Sequence, residues 1–109
     1  MIRAVIYRES GIWKGFEISG HAGYREAGED IYCAAVSILT FNRANAIEAL
    51  TDDPIESSDR DGKLVCRFPD GLSEKGTVLV DAMVMGLRQI EETSQKKYLK
   101  VIIRESDLR

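Results

Sequence analysis

Between Gly20 and Thr40 the sequence reads GHAGYREAGEDIYCAAVSILT, and this stretch holds the single histidine of the chain, His21, and one of its two cysteines, Cys33. A thiol attacks a carbonyl as the thiolate, and its proton leaves more readily at a helix N-terminus or beside an imidazolium. Both aids are within reach of Cys33. Asp30 is a good N-cap residue ahead of a run of apolar positions at helical spacing, which puts Cys33 at the third helical position. There, in the first turn, free backbone N–H groups and the helix dipole favour negative charge, and the same N–H groups can hold the oxyanion of a tetrahedral intermediate. His21 lies directly after a strand end, where a rigid element can hold it while the loop Ala22 to Glu29 folds back toward Cys33. The chemistry on offer is acyl transfer, with cysteine as nucleophile and histidine as general base and acid.

The neighbours admit plainer readings. Asp30, Cys33 and Ser37 share one helix face at i, i+3 and i+7. Ser37 can hold the histidine or polarise a substrate group, or simply bond the carbonyl of residue 33 in its own helix. Capping is sufficient reason for Asp30, and its charge opposes a thiolate next door. Buried cysteine is common, and Gly20, Gly23 and Gly28 can serve only as turn residues, so from residue types alone a structural role for Cys33 stays ahead of catalysis. A redox-sensing thiol at Cys33 is a further reading. Metal binding is weaker, because His21, Cys33 and Cys66 lack the close pairs of a structural zinc site. Cys66 alternates in phase with Leu64 and Phe68 and reads as core; Met83 and Met85 read as packing.

The elements that must position this pair follow from alternation and spacing. Residues 2 to 8 and 12 to 18 alternate around Glu9-Ser10-Gly11 and read as an antiparallel hairpin ending at Gly20. A helix runs from Ile31 to about Leu50 through Ala34, Ala35, Ile38, Leu39, Phe41, Ala46, Ile47 and Leu50, its alanines suited to close approach to a sheet, and Asp53-Pro54 stops it. Ile55 to Ser57 suits a short strand before a turn at Asp61-Gly62, although the polar tract Asp52 to Asp61 reads most simply as a solvated loop. Lys63 to Phe68 alternates as a strand closed by Pro69-Asp70-Gly71. A second helix spans roughly Ser73 to Gln95, and Tyr98 to Arg104 forms the last strand. The order ββαββαβ points to an α+β fold, a mostly antiparallel sheet with two long helices packed on it.

Length and composition bound the remainder. A chain of 109 residues suits one core, so a single domain over residues 1–109 is expected. With 44% hydrophobic and 30% charged residues it reads as globular rather than disordered or membrane-spanning. The alternating N-terminus does not resemble a signal peptide, which points to the cytosol and to reduced thiols, although sequence does not exclude a bridge between Cys33 and Cys66. A net charge of −3 disfavours a broad nucleic-acid surface and is compatible with a basic peptide partner.

GHA at residues 20–22 followed by GEDIYCAAVS at residues 28–37 resembles the signature of the ribosomal-processing cysteine protease family Prp, and the resemblance extends over the element order of the whole chain. It implies a cytosolic endopeptidase that removes a short N-terminal extension from a protein of the large ribosomal subunit, cleaving after an aromatic-aromatic-alanine sequence. It further implies a homodimer that uses no cofactor and no metal; that no nucleic acid or membrane is contacted directly is expected from the acidic net charge and the short apolar runs. On this resemblance Cys33 is the nucleophile and His21 the general base and acid, with Asp30, Ser37 and Gly20 in support. Ala22, Gly23, Tyr24, Gly28 and Tyr32 are then candidates to meet the peptide; Tyr32 stands where the motif usually has an aliphatic residue. A glycine-flanked segment between base and nucleophile can order around a substrate and so assemble the dyad only when needed. The rival reading is a non-catalytic module that binds a basic ribosomal protein during assembly.

Overall fold

The structure, a computed structural model, describes residues 1–20 and 30–106. Its elements follow the expected order: β1 (Ile2–Glu9), β2 (Ile12–Ser19), α1 (Ile31–Leu50), β3 (Glu56–Arg60), β4 (Lys63–Arg67), α2 (Glu74–Thr93) and β5 (Leu99–Glu105). The five strands form one sheet in the order β3-β4-β2-β1-β5. Neighbours pair antiparallel except β1 with β5, which run parallel, so the sheet is mixed at that edge.

Tight turns set the registers. Ser10 and Gly11 take φ of 52° and 77°, and Asp61 and Gly62 take 53° and 73°. Two consecutive left-handed residues give the turn whose twist matches a two-residue hairpin loop. Glu9 therefore pairs with Ile12, and Arg60 with Lys63. The second hairpin corrects the reading of residues 52–61 as a solvated loop. β3 occupies Glu56–Arg60, and every residue in it is exposed. An edge strand with both faces wet shows no apolar alternation, and only its turn residues betray it.

One face of the sheet carries the core. Ile2, Ala4, Ile6, Phe16, Ile18, Leu64, Cys66, Leu99 and Val101 meet Val36, Ala44 and Ile47 of α1 and Val80, Met83 and Leu87 of α2. Phe16 and Phe68 pack with ring centroids 6.1 Å apart at 56°. The helices meet where Gly86 takes the side chain of Leu39; a Cβ at Gly86 would lie 2.7 Å from Leu39 Cδ2.

The faces of the helices differ from the expected ones. In α1 the buried stripe is Val36, Thr40, Ala44 and Ile47, whereas Ala34, Ile38, Phe41 and Leu50 are exposed. Apolar residues lie almost all round α1, so spacing alone could not choose the inner face. Thr40 is tolerated inside because its hydroxyl donates to the Val36 carbonyl at 2.8 Å. In α2, Met83 is buried as expected but Met85 is 66% exposed, because it shares the outer face with Val78, seven residues earlier.

Side chains also join the layers. Asp53, just past α1, accepts hydrogen bonds from Ser73 N at 3.0 Å and Ser73 Oγ at 2.8 Å, tying the end of one helix to the cap of the next. Buried Glu91 on α2 accepts the Val101 N–H at 2.7 Å, which occupies a donor on the edge strand β5.

Candidate active site

Asp30 begins the site from the backbone upward. It holds the N-cap of α1 in an extended conformation, and its Oδ1 accepts the N–H groups of Tyr32 and Cys33, both at 3.0 Å. The Asp30 carbonyl accepts the N–H of Ala34 at 3.1 Å. The capping role expected for Asp30 is what the geometry contains. It follows that three first-turn N–H groups already have partners within the helix, so an oxyanion hole built from Tyr32, Cys33 and Ala34 does not fit this arrangement.

Cys33 is partly exposed on the inward side of that first turn, and it lines a cleft of about 280 Å³ between α1 and the sheet. Val36, Ser37, Thr40 and Phe41 continue the α1 wall; Ile2, Ile18, Ser19, Gly20 and Leu64 come from the sheet side, with Asp59 and Gly62 at the β3–β4 end. Apolar walls with few polar groups are the usual lining of a site that binds and orients an organic ligand. Of the residues singled out from sequence, the structure brings Cys33, Ser37 and Gly20 together here.

Gly20 directs the chain out of β2. Its φ is +87°, and a Cβ there would collide with the Met1 carbonyl oxygen. Only glycine meets both conditions without strain. His21, Ala22, Gly23, Tyr24 and Gly28 lie outside the described residues, as do Arg25, Glu26 and Glu29.

Tyr32 sits apart from the cleft. Its ring stacks on Tyr98, centroids 4.9 Å apart and planes at 20°, and it lines a second groove with Ile31, Ala35, Leu39, Gly86 and Ile90, between the helices. An aromatic at this position therefore shapes the helix-to-strand contact ahead of β5.

The two thiols have opposite environments. Neither is in a disulfide. Cys66 is fully buried beneath the helices, and that burial pushes its thiol up to about 12, so it is no nucleophile at neutral pH. Among the described residues no cluster of three His, Cys, Asp or Glu side chains could hold a metal ion.

Sequence reasoning missed Thr40, Phe41, Asp59, Gly62, Ile2 and Ile18 as cleft residues. The α1 members were available, since 33, 36, 37, 40 and 41 follow one helical stripe. Asp59 had no local signal, because its place in the cleft comes from strand pairing.

The comparisons with known proteins agree with this picture. The family model of the cysteine protease Prp matches residues 1–100. The ribosomal processing cysteine protease Prp of Bacillus subtilis is 34% identical over 99 residues, covering 84% of this chain and 88% of its own. Its counterpart from Staphylococcus aureus is 34% identical over 77 residues, 69% of this chain and 73% of the relative. Among solved structures, the S. aureus processing protease with a covalently linked product peptide superposes with a TM-score of 0.88 at 27% identity, covering 95% of this chain and 100% of that one. A Streptococcus mutans protein gives 0.77 at 33% identity, covering 97% and 96%. With the family model spanning nearly the whole chain, a relative 34% identical over most of it and a cysteine lining the cleft, the chain belongs to the Prp family of cysteine proteases.

Proposed function

We propose that this protein is an endopeptidase that removes the N-terminal extension of a large-subunit ribosomal protein, with Cys33 as nucleophile and His21 as general base and acid. The observation that carries the assignment is the position of Cys33 at the start of α1, lining a cleft, while the other thiol is sealed in the core. Relatives named for ribosomal processing, and a relative crystallised with a covalently linked product peptide, support the substrate class.

The chemistry runs in two halves. His21 takes the proton of the Cys33 thiol, and the thiolate attacks the scissile carbonyl, forming a carbon–sulfur bond. The tetrahedral intermediate collapses with cleavage of the carbon–nitrogen bond, and the imidazolium returns its proton to the leaving amine. Water then attacks the thioester with His21 again as base, releasing the carboxylate product and the thiol. Asp30 acts by fixing the helix start that carries Cys33, and Ser37 lines the cleft one turn further on. Gly20 sets the direction in which the chain departs toward His21.

The whole chain works as one protease domain and needs no metal or organic cofactor for these steps. It acts as a homodimer in the cytoplasm, without direct contact to nucleic acid. Exposed Ile38 and Met85 beside the helix crossing supply apolar surface for self-association. No helix among the described residues is long and apolar enough to cross a membrane.

The test is incubation with a precursor peptide whose extension ends in Phe-Phe-Ala, read by mass spectrometry. Two products that sum to the peptide plus one water are expected, and Cys33→Ala should yield none. Undiminished processing by folded Cys33→Ala would refute the nucleophile. Tight binding with no truncation by the unmodified protein would favour a binding module instead.

A further inference from the structure

We propose that Asp59 selects a cationic side chain, lysine or arginine, on the peptide that enters the Cys33 cleft; the proposal rests on the protease function above. Strand register places Asp59. Ala4 pairs with Ile18, Ile18 with Leu64 and Leu64 with Asp59. Directly opposed residues on neighbouring strands point to the same side of a sheet. Ala4, Ile18 and Leu64 are buried beneath the helices. The next side chain on that row, at the free edge, is an exposed carboxylate on the helix-bearing face.

That carboxylate looks into the site. Ile18, Leu64 and Asp59 of this row line the same cleft as Cys33, Val36, Ser37, Thr40 and Phe41. Apart from Cys33, Asp59 is the one ionisable side chain among the described residues that line it. No ion pair involves Asp59 among the described residues. The cations of the partner strand, Lys63 and Arg67, alternate onto the opposite face of the sheet and pair there with Glu17 at 3.9 Å and Glu56 at 3.6 Å.

A negative charge at one end of a cleft whose other described lining residues carry no fixed charge discriminates by charge, because a peptide filling the cleft displaces water and strengthens the field it feels. An edge-strand aspartate also discourages pairing with other sheets. That second role leaves substrate choice untouched, which separates the two.

The experiment uses peptides containing Phe-Phe-Ala that differ only by Lys or Glu at one position, moved through the residues on both sides of the cut bond. At one position the unmodified protein should show a kcat/KM about tenfold higher for Lys than for Glu. Asp59→Lys should invert that ratio, and Asp59→Asn should bring it near unity. Asp70→Lys, the same change of net charge on an exposed turn outside the cleft, should preserve it. Thermal unfolding confirms that each variant is folded, and near-isosteric Asp59→Asn carries the test if Asp59→Lys does not fold. Equal rates for Lys and Glu at every position, or a ratio in the Asp59 variants no different from Asp70→Lys, would overturn the role of Asp59 while leaving the protease assignment intact. Cleavage of no peptide at all would overturn both.

Discussion

The carboxylate of Asp30 accepts the backbone N–H of Cys33 at 3.0 Å, so the residue that starts the helix is bonded to the residue proposed to attack the substrate. Placement and reactivity thus oppose each other at one contact. The cap holds Cys33 in position, and its negative charge disfavours a second anion alongside. Asp30→Asn keeps a capping side chain but removes the charge, and Asp30→Ala removes both. We expect Asp30→Asn to raise the rate at which iodoacetamide alkylates Cys33 at neutral pH, with little change in stability. Asp30→Ala should lose about 1 kcal/mol of unfolding free energy, the usual cost of a lost cap. Equal alkylation rates in the unmodified and Asn forms would show that the charge does not reach the sulfur.

Gly20→Ala addresses the link between β2 and the segment beginning at His21. The new methyl group would have to displace the Met1 carbonyl oxygen and hold a left-handed backbone. A cost of roughly 1–3 kcal/mol is expected, visible as a lower melting temperature. Peptide cleavage should fall further than stability does, because the exit direction of the strand changes. Unchanged kcat/KM in a folded Gly20→Ala protein would contradict this.

Alkaline titration separates the thiols. Burial raises Cys66 to about 12 in the folded protein, above its ordinary value of 9.0. The unfolded chain therefore releases this proton first as pH rises, and the stabilisation present below pH 9 is lost progressively up to the folded value. The slope contributed by Cys66 approaches about 1.4 kcal/mol per pH unit within that window. Denaturant unfolding of the unmodified protein and of Cys66→Ala between pH 8 and 11 should converge as pH rises, since the variant lacks this term. Parallel curves would place Cys66 in a wetter site. In native protein at neutral pH, a thiol reagent should label Cys33 and leave Cys66 unlabelled until denaturant is added.

Gly86→Leu tests the helix crossing. A side chain there collides with Leu39, and overpacking of this kind costs roughly 1–3 kcal/mol. The double variant Gly86→Ala with Leu39→Ala should be more stable than the sum of the two single effects predicts, as coupled neighbours are. Strict additivity would mean the two side chains do not touch.

What could be known from sequence was local. Alternation at Ile2 to Arg8 and Lys63 to Phe68, turn chemistry at Ser10-Gly11 and Asp61-Gly62, and an aspartate ahead of an apolar run determined the element order and the cap on Cys33. The phase of Cys66 with Leu64 and Phe68 determined its burial, because a period of two admits one inner face. Tertiary structure decided the rest. Which side of α1 faces inward depended on where α2 and the sheet left room, since its apolar residues almost encircle it; Ile38 therefore ended outside and Thr40 inside. Met85 turned outward because it lies with Val78 on the outer face of α2. β3 formed from polar residues because its hairpin partner, not its own side chains, supplies the pairing. Asp59 reached the Cys33 cleft only through three strand pairings spanning residues 4 to 64, a relation that no window of neighbouring residues contains.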